Sequence, residues 1–156
     1  MHASTLRSVT GALRRPAALP LMLAITLVAA GCGSSDDAEF VDGYNAAVAP
    51  LSATMNDLGA SPAGDPAAAS KSLDQVADGL DDVRADLAAL DPPEDAADEF
   101  DRMLGALEKG TEQVRTMAGA AKDGNLKRLT KATADFSATG TDLVTLEQEL
   151  RTILQN

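Results

Sequence analysis

Histidine and cysteine are nearly absent from this sequence, with His2 and Cys32 the single examples in 156 residues, and there is no tryptophan at all. This scarcity removes most of the common reaction machinery. Beyond His2, no imidazole is available for a Ser-His-Asp or Cys-His arrangement or for a nitrogen and sulfur set around zinc. The histidine-bearing motif of di-iron helical bundles is missing too. No Ser-x-x-Lys occurs, so serine–lysine chemistry has no motif to rest on. Gly31 and Gly33 make a Gly-x-Gly, but no phosphate-cradling loop follows a strand anywhere. Catalysis would have to work through carboxylates alone, and the expectation is a non-enzymatic protein with no cofactor, no catalytic residue and no metal site.

Aromatic rings are also scarce. Phe40, Tyr44, Phe100 and Phe136 are the complete set, and each falls on an apolar stripe described below. Stacking on sugars or bases needs exposed rings, so binding of carbohydrate or single-stranded nucleic acid gains little support. With one cysteine there is no internal disulfide, and a folded domain must depend on its apolar core.

Acids are missing from the first 31 residues and abundant after them. Arg7, Arg14 and Arg15 precede an apolar run at residues 17–30, followed by small residues, which is the layout of a secretory signal. At 14 residues with Pro20 inside it, the run falls short of the roughly 20 that a membrane-crossing helix needs. A permanent transmembrane anchor is the weaker reading.

The residues at the break are Val28-Ala29-Ala30-Gly31-Cys32. They resemble the lipobox of bacterial lipoproteins, with Ala29 standing where leucine is usual. The resemblance implies that the Cys32 sulfur receives a diacylglyceryl group, that the chain is cut between Gly31 and Cys32, and that Cys32 becomes the first residue. A thiolate is the nucleophile such a thioether requires. The implied address is the extracytoplasmic face of a bacterial cell membrane, with acyl chains on Cys32 as the anchor. The plainer alternative is a secreted protein whose Cys32 is a free thiol or is joined to another chain. Rich in alanine, aspartate and leucine and poor in lysine, the chain also looks like small actinobacterial lipoproteins.

Loss of the signal takes three basic residues with it, leaving ten bases against 24 acids, a net charge of −14. Phosphate recognition needs a basic footprint, so nucleic acid is excluded as a natural partner. Adsorption to anionic lipid is equally disfavoured. Attachment would come from acyl chains, at about 0.8 kcal/mol per buried methylene.

Three domains of different character follow: a signal at residues 1–31, a lipidated flexible tether at 32–38, and a helical domain at 39–156. The tether reads GSSDDA after Cys32, too poor in apolar groups to pack. Turn clusters at residues 59–66, 91–93 and 123–125 divide the rest into four segments, each with helical spacing. The second is the cleanest. Leu73, Val76, Leu80, Val83, Leu87 and Leu90 step by three and four, Asp74, Asp78, Asp81, Asp82 and Asp86 lie opposite, and Asp65-Pro66 is placed to cap the start. For the third, Asp91, Pro92 and Glu94 suggest a capping box, with Phe100, Leu104, Leu107, Thr111, Val114, Ala118 and Ala121 as the core positions and Met103 and Met117 at the flank.

The fourth segment is expected to face inward with Leu126, Leu129, Thr133, Phe136, Leu143, Leu146, Leu150 and Ile153. The first offers Phe40, Tyr44, Ala47, Val48, Leu51, Met55 and Leu58, with Pro50 predicting a kink. The expected fold is therefore all-α, an up-down-up-down four-helix bundle. Its tethered end would carry the start of the first helix, the turn between the second and third, and the C-terminus.

Three surface features invite a functional reading. The acids Asp91, Glu94, Asp95, Asp98, Glu99 and Asp101 could hold a hard cation, although acids at a helix start are the ordinary alternative. Lys122, Lys127, Arg128 and Lys131 gather at the last turn, where an anionic wall polymer or an acidic envelope protein could dock. Asp81/Arg84, Asp98/Arg102, Glu112/Arg115 and Glu147/Arg151 read as surface pairs within single helices. Two functions fit these features: an interaction or structural module of the envelope, and a ligand-binding protein holding a cation or small amphiphile. A buried acid on an inward stripe, or a cavity, would favour the second.

Overall fold

The structure is a computed structural model and describes residues 35–59 and 65–155, with side chains in the first stretch described for residues 37–51. Among the described residues all regular structure is helical: α1 Ser35–Gly59, α2 Pro66–Ala88, α3 Ala97–Lys122 and α4 Leu126–Ile153. Each helix packs on its neighbour in the chain, α1 on α2, α2 on α3 and α3 on α4. No helix among the described residues is long and apolar enough to cross a membrane.

α2 forms as its stripe predicts. The Asp65 carboxylate accepts from the backbone N–H groups of Ala67 and Ala68 at 2.9 and 3.2 Å, and Pro66 opens the helix where its missing N–H costs nothing. Leu73, Val76, Leu80, Val83 and Leu87 are buried, and Leu90 is half-buried just past the helix end. Burial of each large side chain contributes about 1.5–3 kcal/mol.

α1 begins at Ser35, inside the stretch expected to be flexible tether. The acid at position 37, in the first turn, complements the positive end of the helix dipole. The helix runs through Pro50 to Gly59. Phe40, Val41, Tyr44, Ala47, Val48 and Leu51 are buried; the expected inward side chains of Met55 and Leu58 lie outside the described residues. Phe40 meets Phe100 of α3 edge to face, with ring centroids 5.1 Å apart. A methyl at Gly43 would come within 2.8 Å of the Leu90 side chain, so this glycine lets α1 lie close to the end of α2.

The start of α3 departs from expectation. Asp91 is not its cap: the helix starts at Ala97, after a turn in which the Ala96 N–H donates to the Pro93 carbonyl at 2.9 Å. The cause is the second proline, because a residue before proline is pushed out of the helical region. Pro92 therefore cannot open a helix that continues through Pro93. Within α3, Met103 is fully enclosed and Leu104 only half-buried, reversing their expected roles.

α4 is capped by the Asn125 side chain, which accepts from the Arg128 N–H at 3.0 Å, and the preceding turn passes through Gly124 at φ 64°, where glycine carries no steric cost. Its inward face departs from the expected one near the start of the helix and follows it at Leu146 and Leu150. Ala132, Thr139, Leu146 and Leu150 are buried, whereas Leu126 is 75% exposed and Thr133 is exposed. The Phe136 ring and the Thr139 methyl face Gly110 of α3, at 3.7 and 3.9 Å from where a methyl there would stand. Phe136 and Leu143 sit beside that contact and are only partly covered.

Charged side chains tie neighbouring helices together more than they brace single ones. Arg84 pairs with Glu108 at 3.1 Å, Arg115 with Asp81, and Arg102 with Glu149 at 3.4 Å. The expected pairs Asp81/Arg84 and Glu112/Arg115 give way to these cross-helix partners, which sit opposite one another where α2 and α3 meet. Glu147/Arg151 does form, at 2.6 Å.

Candidate functional site

Gly31 and Cys32, the expected cleavage and lipidation positions, lie outside the described residues. The site built by the described residues is elsewhere, between α1 and α4.

Along the part of α1 whose side chains are described, Tyr44, Val48 and Leu51 line spaces that residues of α4 also line. Toward the C-terminus of α4, Tyr44 and Val48 of α1 share a narrow crevice with Leu143 and Glu147 of α4. Toward the middle of α4 the crevice widens into a groove of about 250 Å³. Leu51 forms one wall; Phe136, Gly140 and Val144 form the other; Leu80 of α2 and Leu107 and Gly110 of α3 make the floor. The floor residues belong to the core, so the groove opens the interior of the bundle to the outside.

Its chemistry is set by what α4 presents there. Ser137 and Thr141 are the only hydroxyl-bearing residues among the described lining residues, and the Thr141 hydroxyl donates to the Ser137 carbonyl at 3.1 Å. That bond spends the donor on the helix's own backbone. A methyl at Gly140 would meet nothing within 4 Å, so the space beside it is open. Among the described residues no charged one lines the groove, in a chain with 24 acids.

Polar groups gather at the narrow end. Glu147 is 7% exposed and its carboxylate accepts from Arg151 at 2.6 Å. Tyr44 is 1% exposed and its hydroxyl donates to the Met103 sulfur at 3.5 Å. Burial pushes the Tyr44 phenol well above its ordinary range, the Glu147 carboxylate adds to the rise, and Arg151 partly opposes it. Room for about one water remains in the crevice, with a free volume near 10 Å³. This end can hold a proton or a water but admits no larger guest.

The other expected features stand apart from the groove. Asp91 is exposed, beside a hollow of about 480 Å³ that Glu39, Phe40, Leu90 and the two prolines also line. Among the described residues no group of three or more metal-ligating side chains is placed to hold an ion. Lys122, Lys127 and Arg128 are exposed, and Lys131 pairs with Asp135.

The groove itself had no trace in any one helix, because its lining is drawn from all four. Glu147 could have been found: it follows Leu146 and lies one turn beyond Leu143, beside the stripe. Its pairing with Arg151 suggested a solvent-facing residue, and the structure corrects that. Compared with protein-family models, with curated proteins and with solved structures, the chain matches none.

Proposed function

We propose that this chain is a lipid-anchored, non-catalytic helical-bundle protein of the bacterial cell envelope, and that its work is binding. The first 31 residues act as the signal, cleavage falls between Gly31 and Cys32, and acyl chains on Cys32 hold the helical body at the extracytoplasmic face. The observation that carries this reading is the run Val28-Ala29-Ala30-Gly31-Cys32 after a basic start and a short apolar stretch.

The helices run up-down-up-down in this reading, and Pro50 bends α1. Support for the order comes from partners whose numbers rise and fall in opposition, Asp81 with Arg115 and Arg84 with Glu108. An internal proline removes one helical hydrogen bond and crowds the preceding turn, which supports the bend.

A second reading, that the bundle holds a small amphiphile, is favoured by two observations: the buried Glu147 carboxylate and the apolar groove beside it. The two readings are compatible, since an anchored module can also carry a ligand. Cys32→Ser tests the anchor. The variant is expected to accumulate as uncut precursor without acyl label; normal acyl labelling in it would contradict the assignment.

A further inference from the structure

We infer that α4 is a self-pairing helix, whose exposed stripe from Lys127 to Glu149 docks antiparallel on the same stripe of a second copy of this chain. The inference stands on α4 and uses neither the anchor nor the groove. Stepping by threes and fours, Lys127 and Lys131 mark one end of the stripe, Ala134, Ala138, Thr141 and Thr145 its middle, and Glu149 the other end. All seven are exposed. Ala132, Thr139, Leu146 and Leu150, on the other side of the helix, are the residues that α4 buries in the bundle.

The middle of the stripe suits close packing. Its four residues are small and uncharged, in a chain where 24% of residues carry charge, and two helices meeting at small side chains approach to about 8 Å. Thr141 and Thr145 donate their hydroxyls to the carbonyls of Ser137 and Thr141, at 3.1 Å each. Those protons keep a partner when water leaves, so covering this surface strands no hydroxyl donor.

The charged ends select the occupant. A two-fold axis crossing α4 at Ala138 sets Lys127 opposite Glu149 of the second copy, with Lys131 within about one turn of the same carboxylate, and the axis repeats the contact at the other end. A parallel pair would instead set Lys127 against Lys127. Lys131 also holds Asp135, and Glu149 also accepts from Arg102 at 3.4 Å; an ammonium has three donors and a carboxylate two oxygens, so each serves both partners. The outer face of α2 turns a second copy away, because Asp74, Asp78, Asp82 and Asp86 are all exposed there and like charges repel. Lys127 to Glu149 is about 33 Å at 1.5 Å per residue and about 10 Å wide. That is roughly 330 Å² per copy, less than half of the roughly 800 Å² of a standard interface, so the pair is weak and depends on concentration. The two chain starts lie at opposite ends of such a pair, and two anchored copies would pair lying along the membrane.

The test uses the full chain, purified from membranes in detergent and carrying Ala138→Cys or Thr145→Cys, with disulfides formed by mild oxidation and mapped by mass spectrometry. Ala138→Cys sits at the crossing point and is expected to join two copies through residue 138. Thr145→Cys lies about 21 Å along the helices from its counterpart and is expected to leave the chains separate. Glu149→Lys, which sets lysine against lysine, should cut the residue-138 disulfide roughly fivefold or more, and adding Lys127→Glu and Lys131→Glu should restore it. Helical circular dichroism checks that each variant folds; should Glu149→Lys fold poorly, the two lysine changes alone are expected to give the same loss. No disulfide at residue 138, an equal yield from Thr145→Cys, a yield that ignores the charge reversals, or no recovery in the swapped variant overturns the pairing. A disulfide through Cys32 shows an unacylated thiol and counts against the anchor, leaving the pairing to be judged on residue 138.

Discussion

The Tyr44 hydroxyl donates to the Met103 sulfur across 3.5 Å, joining α1 to α3 at a point where both side chains are closed off from solvent. A thioether is a weak acceptor, so the phenol is held more by the enclosure than by its bond. That enclosure favours the neutral form.

A pH dependence follows. The folded-state pKa of Tyr44 is raised above the ordinary value of about 10, so its contribution to stability is fully present below about pH 10 and is lost as the pH climbs further. Tyr44 is the only tyrosine and there is no tryptophan, so phenolate absorbance reports this group alone. Ionisation is expected to coincide with loss of helical circular dichroism, and Tyr44→Phe to remove that coupling. A phenol that titrates near its ordinary value while the helices stay intact would place Tyr44 in water.

The orientation of two helices is tested by a pair of leucines. Leu80→Asp puts a charge into the core and is expected to cost more than about 4 kcal/mol, enough to abolish a cooperative melt. Leu126→Asp, at a position 75% exposed, is expected to change stability by no more than about 0.5 kcal/mol. Thermal melts of the two variants check both, and equal effects would mean the inward face of α4 is misplaced.

That contrast marks how far the sequence could be read. α2 was legible because five large aliphatics and five aspartates separate onto opposite faces, and one cap and one proline define its start. α4 carries apolar or small residues over more than half its circumference, so several faces compete. The one that packs on α3 sets Phe136 and Thr139 against Gly110, a match that depends on the partner helix. The start of α3 was misread because Asp91 and Glu94 spell a capping pattern that Pro93 forbids. The groove was invisible for a related reason: periodicity describes each helix, and the opening is a relation between α1 and α4.

A buried hydroxyl offers a third test. Thr139 is 1% exposed and its Oγ1 has no hydrogen-bond partner. Thr139→Val replaces the hydroxyl by a methyl of similar shape, removing an unsatisfied polar group worth about 1–3 kcal/mol. Stability measured by urea denaturation is expected to rise. A fall of more than about 1 kcal/mol would show that the hydroxyl is bonded.

The address and the reading of function both depend on the anchor at Cys32. Intact-mass measurement of the protein recovered from its own membranes tests it most directly. The account predicts a chain beginning at Cys32 whose mass exceeds that of residues 32–156 by a diacylglyceryl group. A mature chain with an unmodified Cys32 thiol, or one that begins at any other residue, would contradict it.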